Sequence, residues 1–221
     1  AYQNAVTYAR ERLQGRSLTG AKAPDKAADP IIVHPDVRRV LLTIRAFNEA
    51  ARAMVVWTAL KSDVAHRSSD PKDRQEAALA LGKPGQTSDE IVQALSVALR
   101  DPDKSVRGTA ALSLGRIGEK GVPPLIEALC KGDEEHNADL VIGLAQAGRP
   151  AVGPLIGVLE SQNHAAVSSA SVALGMVGRP AVSDLVVALE DKSPQVRSFA
   201  WIALAQMGEN AREAIPAIRS R

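Results

Sequence analysis

The chain has 221 residues and a net charge of +2, with 45% hydrophobic but only 3% aromatic residues, so a sizeable core is available and is carried by Ala, Leu and Val. The single cysteine, Cys130, excludes an internal disulfide, and no clustered Cys/His spacing points to structural zinc. Residues 1–67 carry 11 Lys/Arg against 6 Asp/Glu (net +5) and residues 68–221 carry 16 against 19 (net −3), which argues against a nucleic-acid partner for the longer part. No 18-residue apolar run and no signal peptide are present, so the expected setting is cytoplasmic with no membrane partner. The absence of an initiator Met before Ala1 is read as a fragment or a processed chain.

Residues 1–14 place Ala1, Ala5, Tyr8, Ala9 and Leu13 at helical spacing, and Gly15 supplies the stop. Residues 16–34, with Gly20, Pro24 and Pro30, read as an ordered loop. Pro35 suits the first turn of a helix, and no Pro or Gly follows from Asp36 to Arg67. Val37, Val40, Leu41, Ile44, Phe47, Ala51, Met54 and Val55 form one stripe along it. Leu42, Ala46, Ala53, Trp57, Leu60 and Val64 widen that stripe past a single face. Such breadth predicts burial between several helices, as in a bundle.

The segments YARERLQGRSL and DKAADPIIVHPDVRRVLLTIRAFNEAARAMVVWTALKSD resemble the carboxy-terminal helical domain of acyl-CoA dehydrogenases. The resemblance implies a two-helix piece of a flavoenzyme bundle, with oligomerisation possible through these N-terminal helices. It implies one cofactor contact, Arg12, at the position from which that family reaches the FAD pyrophosphate; Gln14 stands before Gly15 where the family often has Phe. The family's catalytic glutamate and flavin-covering β-domain lie outside the matching segment. The expectation for the chain as it stands is therefore no catalytic residue and no cofactor, with FAD only if a dehydrogenase is completed elsewhere.

From Asp101 onward one unit is written four times. Gly118, Gly148, Gly178 and Gly208 recur every 30 residues, with Leu114, Leu144, Leu174 and Leu204 in register. Leu125, Leu155, Leu185 and Ile215 form a further column, and Leu129, Leu159 and Leu189 another that ends at Arg219. An earlier copy near Ser68 is offset by 33 residues, AALALGKPG against AALSLGRIG. A fixed period of this length predicts a solenoid of helical hairpins, each stacked on its neighbours. DPDKSVRGTAALSLGRIG and KSPQVRSFAWIALAQMG resemble the short HEAT-like repeats also found in phycobilin lyases. That resemblance implies an arginine ladder bonding to neighbouring turns, here Arg74, Arg107 and Arg197, broken at Asn137 and Val167.

Other candidates for chemistry are sparse. His34, His66, His136 and His164 have no metal-site spacing, and the Asp133, Glu134, Glu135 run sits at a helix start, where carboxylates suit the dipole. Phe199 and Trp201 in the last unit read as end-cap core, with an exposed docking patch as the alternative. On the second helices, Gly157, Val158, Val187 and Ala188 read as an exposed apolar column, flanked by Glu160, Asp184 and Glu190. The expectation is thus an all-α protein: residues 1–67 a dehydrogenase-like segment, residues 68–221 an α-solenoid of about five hairpins. Its leading function is a non-catalytic scaffold whose concave face, at Gly157, Val158, Glu160, Asp184, Val187 and Ala188, takes a protein or peptide. A fragment or subunit of a flavin-dependent acyl-CoA dehydrogenase is the alternative, and a phycobilin-lyase-like enzyme is third.

Overall fold

The computed structural model describes residues 2–83, 87–131 and 134–215, with the side chains of residues 134–136 and 213 set aside. The regular elements among the described residues are all helices, and the chain divides into two compact units, residues 1–57 and 58–221. That division lies inside the long helix, ten residues before the boundary at residue 67 drawn from resemblance.

The first unit contains α1 (Tyr2–Glu11), a 3-10 turn (Ile31–Val33) and most of α2 (Pro35–Arg67). Its long loop is ordered around one carboxylate. Asp29 is fully buried and accepts backbone N–H bonds from Ser17 (2.8 Å), Lys22 (2.8 Å) and Ala23 (2.7 Å). The Ser17 bond leads in holding its pKa down, to about 2, and the Arg16 guanidinium 3.4 Å away adds to it. The loop ends are tied by Gln14 N–H to Asp29 O (3.0 Å) and Ile31 N–H to Arg12 O (2.9 Å).

The expected burial of the α2 stripe does not occur within the chain. Leu41 is buried, but Val40, Leu42, Met54, Val55 and Val56 are exposed, and Phe47 is 73% exposed. The unit has too few elements to cover a helix apolar on more than one face, so periodicity identified the helix without supplying its partner.

The second unit stacks helical hairpins. Their first helices are α3 (Pro71–Leu81), α5 (Lys104–Ile117), α7 (Glu134–Ala147), α9 (His164–Val177) and α11 (Pro194–Met207). Their second helices are α4 (Asp89–Ala98), α6 (Val122–Lys131), α8 (Arg149–Val158) and α10 (Val182–Ala188); a 3-10 helix, Gly208–Ala214, follows α11. Helix starts are written in the sequence: Asp70, Ser88, Asp103, Asn163 and Ser193 each cap the following helix through a side-chain oxygen. Between the helices of a hairpin the chain reverses at Gly118, Gly148, Gly178 and Gly208, with φ of 80, 68, 72 and 54°, a region side chains avoid. That explains the 30-residue glycine column.

The leucine columns form the core. Leu114, Leu144, Leu174, Leu125, Leu155, Leu185, Leu129 and Leu159 are inaccessible, and Leu204 and Leu189 nearly so. Ile215 leaves its column and is 40% exposed. First helices approach closely because they meet at small residues: a Cβ on Gly115 would collide with the Gly143 carbonyl, and one on Gly143 would lie 2.5 Å from the Ala111 carbonyl. Phe199 is partly buried against the core, as expected, whereas Trp201 is 47% exposed and so is not end-cap core. It occupies the position of buried Val141 and Ser171 on a helix that has no described neighbour on that side.

The arginine ladder takes a different form. Arg74 makes a two-pronged ion pair with Asp101 of the next turn (2.7 and 2.8 Å), and that hydrogen bond holds the Asp101 carboxyl below its usual range. All three arginines bond carbonyls of the turn immediately before them: Arg74 those of Ser68 and Ser69, Arg107 those of Asp101 and Pro102, and Arg197 those of Asp191 and Lys192. In the middle, links to the previous unit come from amides: Asn163 to Cys130 O (3.0 Å), and Gln195 to Leu159 O (2.7 Å) and Ser161 O (2.9 Å). Asn137, standing in the register of Arg107, is buried, and both its amide atoms lack partners among the described residues.

Candidate functional site

A helix with Leu155 inside turns Val158 and Leu159 to the same side, since three or four residues complete about one turn. Gly157 then points away. The structure follows this rule: Leu155, Val158 and Leu159 are buried, Ile156 is half-buried, and Gly157 is exposed. The same holds one unit on, with Leu185, Ala188 and Leu189 inside, Val186 half-buried and Val187 71% exposed. Val158 (5% exposed) and Ala188 (6% exposed) therefore belong to the core, which corrects their expected place on the surface. The outward column is Val97, Glu127, Gly157 and Val187, one residue per second helix. Beside it runs Arg100, Cys130, Glu160 and Glu190, all exposed.

The polar residues expected around this column separate into two groups. Glu160, Val187 and Glu190 line one open groove of about 630 Å³, together with Asp191, Lys192 and Ser193 of the following turn. Asp184 lies outside it, in the first turn of α10, where it pairs with Arg149 at the start of α8 (3.0 Å). The Arg149 guanidinium also donates to Pro180 O, so this pair joins neighbouring hairpins. Glu127 is engaged by Lys131 (2.7 Å), which leads in lowering its pKa, and by Arg100 at 3.8 Å. Cys130 is an exposed thiol on the same face.

The remaining candidates are scattered. Arg12 follows the end of α1, its side chain exposed and without an ion pair or hydrogen bond among the described residues. His34 donates to Gln14 O (3.0 Å) and His66 to Ala94 O (3.1 Å), so both have structural partners. Asp133 and the side chains of Glu134, Glu135 and His136 fall outside the described residues. Among the described residues, no group of three or more His, Cys, Asp or Glu is placed to hold a metal ion. Sequence reasoning overlooked Asp191, Lys192 and Ser193; their alignment with the turn at residues 161–163, just after Glu160, was the available signal.

Comparison with known proteins finds two kinds of likeness. A family model described as HEAT repeats matches residues 58–135, starting where the second compact unit starts. The 3-methylmercaptopropionyl-CoA dehydrogenase of Ruegeria pomeroyi is 42% identical over 80 residues, 36% of this chain and 13% of that protein. The broad-specificity linear acyl-CoA dehydrogenase FadE5 of Mycobacterium tuberculosis is 44% identical over 66 residues, 29% of this chain and 10% of that protein. The chain thus spans only about an eighth or less of the length of these curated relatives. Among solved structures, the CpcE–CpcF phycocyanin lyase complex of Nostoc sp. shows 26% identity and a TM-score of 0.42, over 69% of this chain and 65% of that one. A designed armadillo repeat protein shows 20% identity and a TM-score of 0.34, over 73% and 90%. The chain is an all-α protein that carries HEAT repeats and has a partial match to acyl-CoA dehydrogenases.

Proposed function

We propose that the second unit is a non-catalytic interaction scaffold, and that its second helices present the surface that takes a protein or peptide segment. The observation that carries this reading is Val187, a large aliphatic side chain 71% exposed on a groove whose other described walls are polar. The core does not require it, because Leu185, Ala188 and Leu189 already fill the inward positions of α10. The expected setting remains cytoplasmic. The test is selection from a displayed peptide library on the immobilised chain. Enriched peptides should lose binding to Val187→Lys and keep it on Met176→Lys, a change at an exposed position of first helix α9. The opposite pattern would move the site to the other face.

A second reading is favoured by a separate observation: the exposed apolar faces of α2 together with the local match to dehydrogenases. In it, the first unit is the part of a flavin-dependent acyl-CoA dehydrogenase bundle that packs against the rest of such an enzyme, and the scaffold rides on that assembly. The chain by itself then supplies at most Arg12 toward FAD. Titration of the isolated chain with FAD should give no saturable binding at micromolar concentration; a stoichiometric yellow complex would contradict this and make Arg12→Ala the next variant.

A further inference from the structure

A cleft of about 400 Å³ lies at the first hairpin, apart from the groove at Val187 and wholly within the second unit. Its walls include Ala65 and His66 of α2, Val97 and Ala98 of α4, and Arg100 and Pro102 of the turn after α4. α2 leads into α3 as each second helix leads into the next first helix. His66 donates from Nε2 to Ala94 O (3.1 Å), which holds this end of α2 against α4.

The charges of the cleft do not cancel. Asp101, also on its wall, gives both carboxylate oxygens to Arg74 (2.7 and 2.8 Å), so its charge is already engaged. Arg100 is 75% exposed and its ion pair with Glu127 is long, 3.8 Å, while Lys131 holds the same carboxylate at 2.7 Å. An exposed pair at that distance is weak, and a two-pronged bond from guanidinium to an incoming carboxylate outcompetes it. Free carbonyls at a helix end would repel an anion. At α4 the carbonyls of Leu95, Val97 and Ala98 already accept the N–H groups of Leu99, Arg100 and Asp101. The cleft therefore pairs one under-compensated guanidinium with a small aliphatic wall, on which Val97 is 54% exposed.

We propose that this cleft takes the C-terminus of a partner polypeptide, its carboxylate on the Arg100 guanidinium and its last, aliphatic side chain against Val97, Ala98 and Pro102. This rests on the scaffold reading and adds a contact of defined chemistry to the same face, since Val97 heads the outward column that ends at Val187. A chain end is favoured over an acidic side chain because it joins a carboxylate and an aliphatic side chain on one residue, as the cleft requires. A phosphate is disfavoured, because its further negative charge would stand near Asp101 with only one guanidinium to balance it.

The probe is acetyl-Gly-Ser-Gly-Leu with a free C-terminus, titrated into the whole chain and followed by residue-resolved amide NMR. Shifts should be saturable and centred on His66 and residues 93–102. The C-terminal amide of the same peptide should bind about tenfold more weakly, because a charge-assisted hydrogen bond is lost. Arg100→Gln, at an exposed position, should have the same effect and leave the melting temperature unchanged. Glu127→Gln should tighten binding about threefold, by releasing Arg100 from its competitor. If acid and amide bind alike, or Arg100→Gln changes nothing, the cleft does not read a chain end, and the scaffold reading still stands on the Val187 selection. An amidated peptide with an internal glutamate binding as tightly as the free acid, or inorganic phosphate binding more tightly, also overturns the proposal. So does the absence of saturable shifts, or their confinement to residues 40–56 on the exposed face of α2. The scaffold reading fails separately, if the library selection yields no Val187-dependent peptide.

Discussion

The long helix α2 and the second helices of the solenoid are both rich in aliphatic residues, yet they meet opposite fates. Leu125, Leu155 and Leu185 are inaccessible because each hairpin has a neighbour, whereas Phe47, Met54 and Val55 stand in the open because no element of their own unit covers them. Apolar periodicity therefore specifies a helix and a direction of demand; the demand is met only if the chain itself brings a second surface. Repetition guarantees that surface in the second unit, since every copy supplies the next. The first unit has no such guarantee.

The largest effect that would test this contrast is Leu155→Ala. Removing a fully buried side chain shared by neighbouring hairpins should cost about 2–5 kcal/mol in urea unfolding. An unchanged midpoint would mean that the leucine columns are not one core. Next comes the Arg74–Asp101 pair, both side chains about nine-tenths buried. Asp101→Asn leaves a charged guanidinium short of its partner and should cost about 1.5–3 kcal/mol, read from the same curves. Because folding lowers the Asp101 pKa, its contribution is present above the unfolded value of about 3.9 and is lost as pH falls through the folded one. The Asp101→Asn variant should lack that part of the acid dependence; an unaltered acid limb would show that the pair is not formed.

A gain of about 1 kcal/mol is expected from Asn137→Val, which replaces an unpartnered buried amide with the residue that stands 30 positions on, the inaccessible Val167. A loss there would mean that the amide has a partner after all. Smallest of all should be Phe47→Ala, at about 0.5 kcal/mol or less in the isolated chain, since surface changes rarely exceed that. A cost comparable to that of Leu155→Ala would show the α2 face to be covered in solution.

The loop of the first unit gives a local counterpart. Asp29 has a pKa of about 2 in the fold, so its three backbone hydrogen bonds should persist above pH 4 and be lost as pH falls toward 2. Amide exchange at Ser17, Lys22 and Ala23, corrected for its intrinsic pH dependence, should accelerate over that interval. Flat protection factors would remove Asp29 from the centre of the loop.

Much of the solenoid could be read directly. The column Gly118 to Gly208 announced reversals with positive φ, and the columns beginning at Leu114, Leu125 and Leu129 announced the core. Three features could not be read in that way. Val158 and Ala188 look like surplus apolar residues beside a complete leucine stripe, but helical phase turns them inward, and counting phase from Leu155 would have placed them. The fate of the α2 stripe depends on what lies opposite, which periodicity does not encode. Asp29 gathers donors from residues 17, 22 and 23 through loop geometry that no spacing rule anticipates.

Hydrogen exchange on the whole chain, with and without a peptide selected on it, tests the central claim most directly. The account predicts added protection at residues 153–160 and 182–193, on α8, α10 and the turn after α10, with first helices α7 and α9 unchanged. Protection confined to first helices, or to α2, would contradict it.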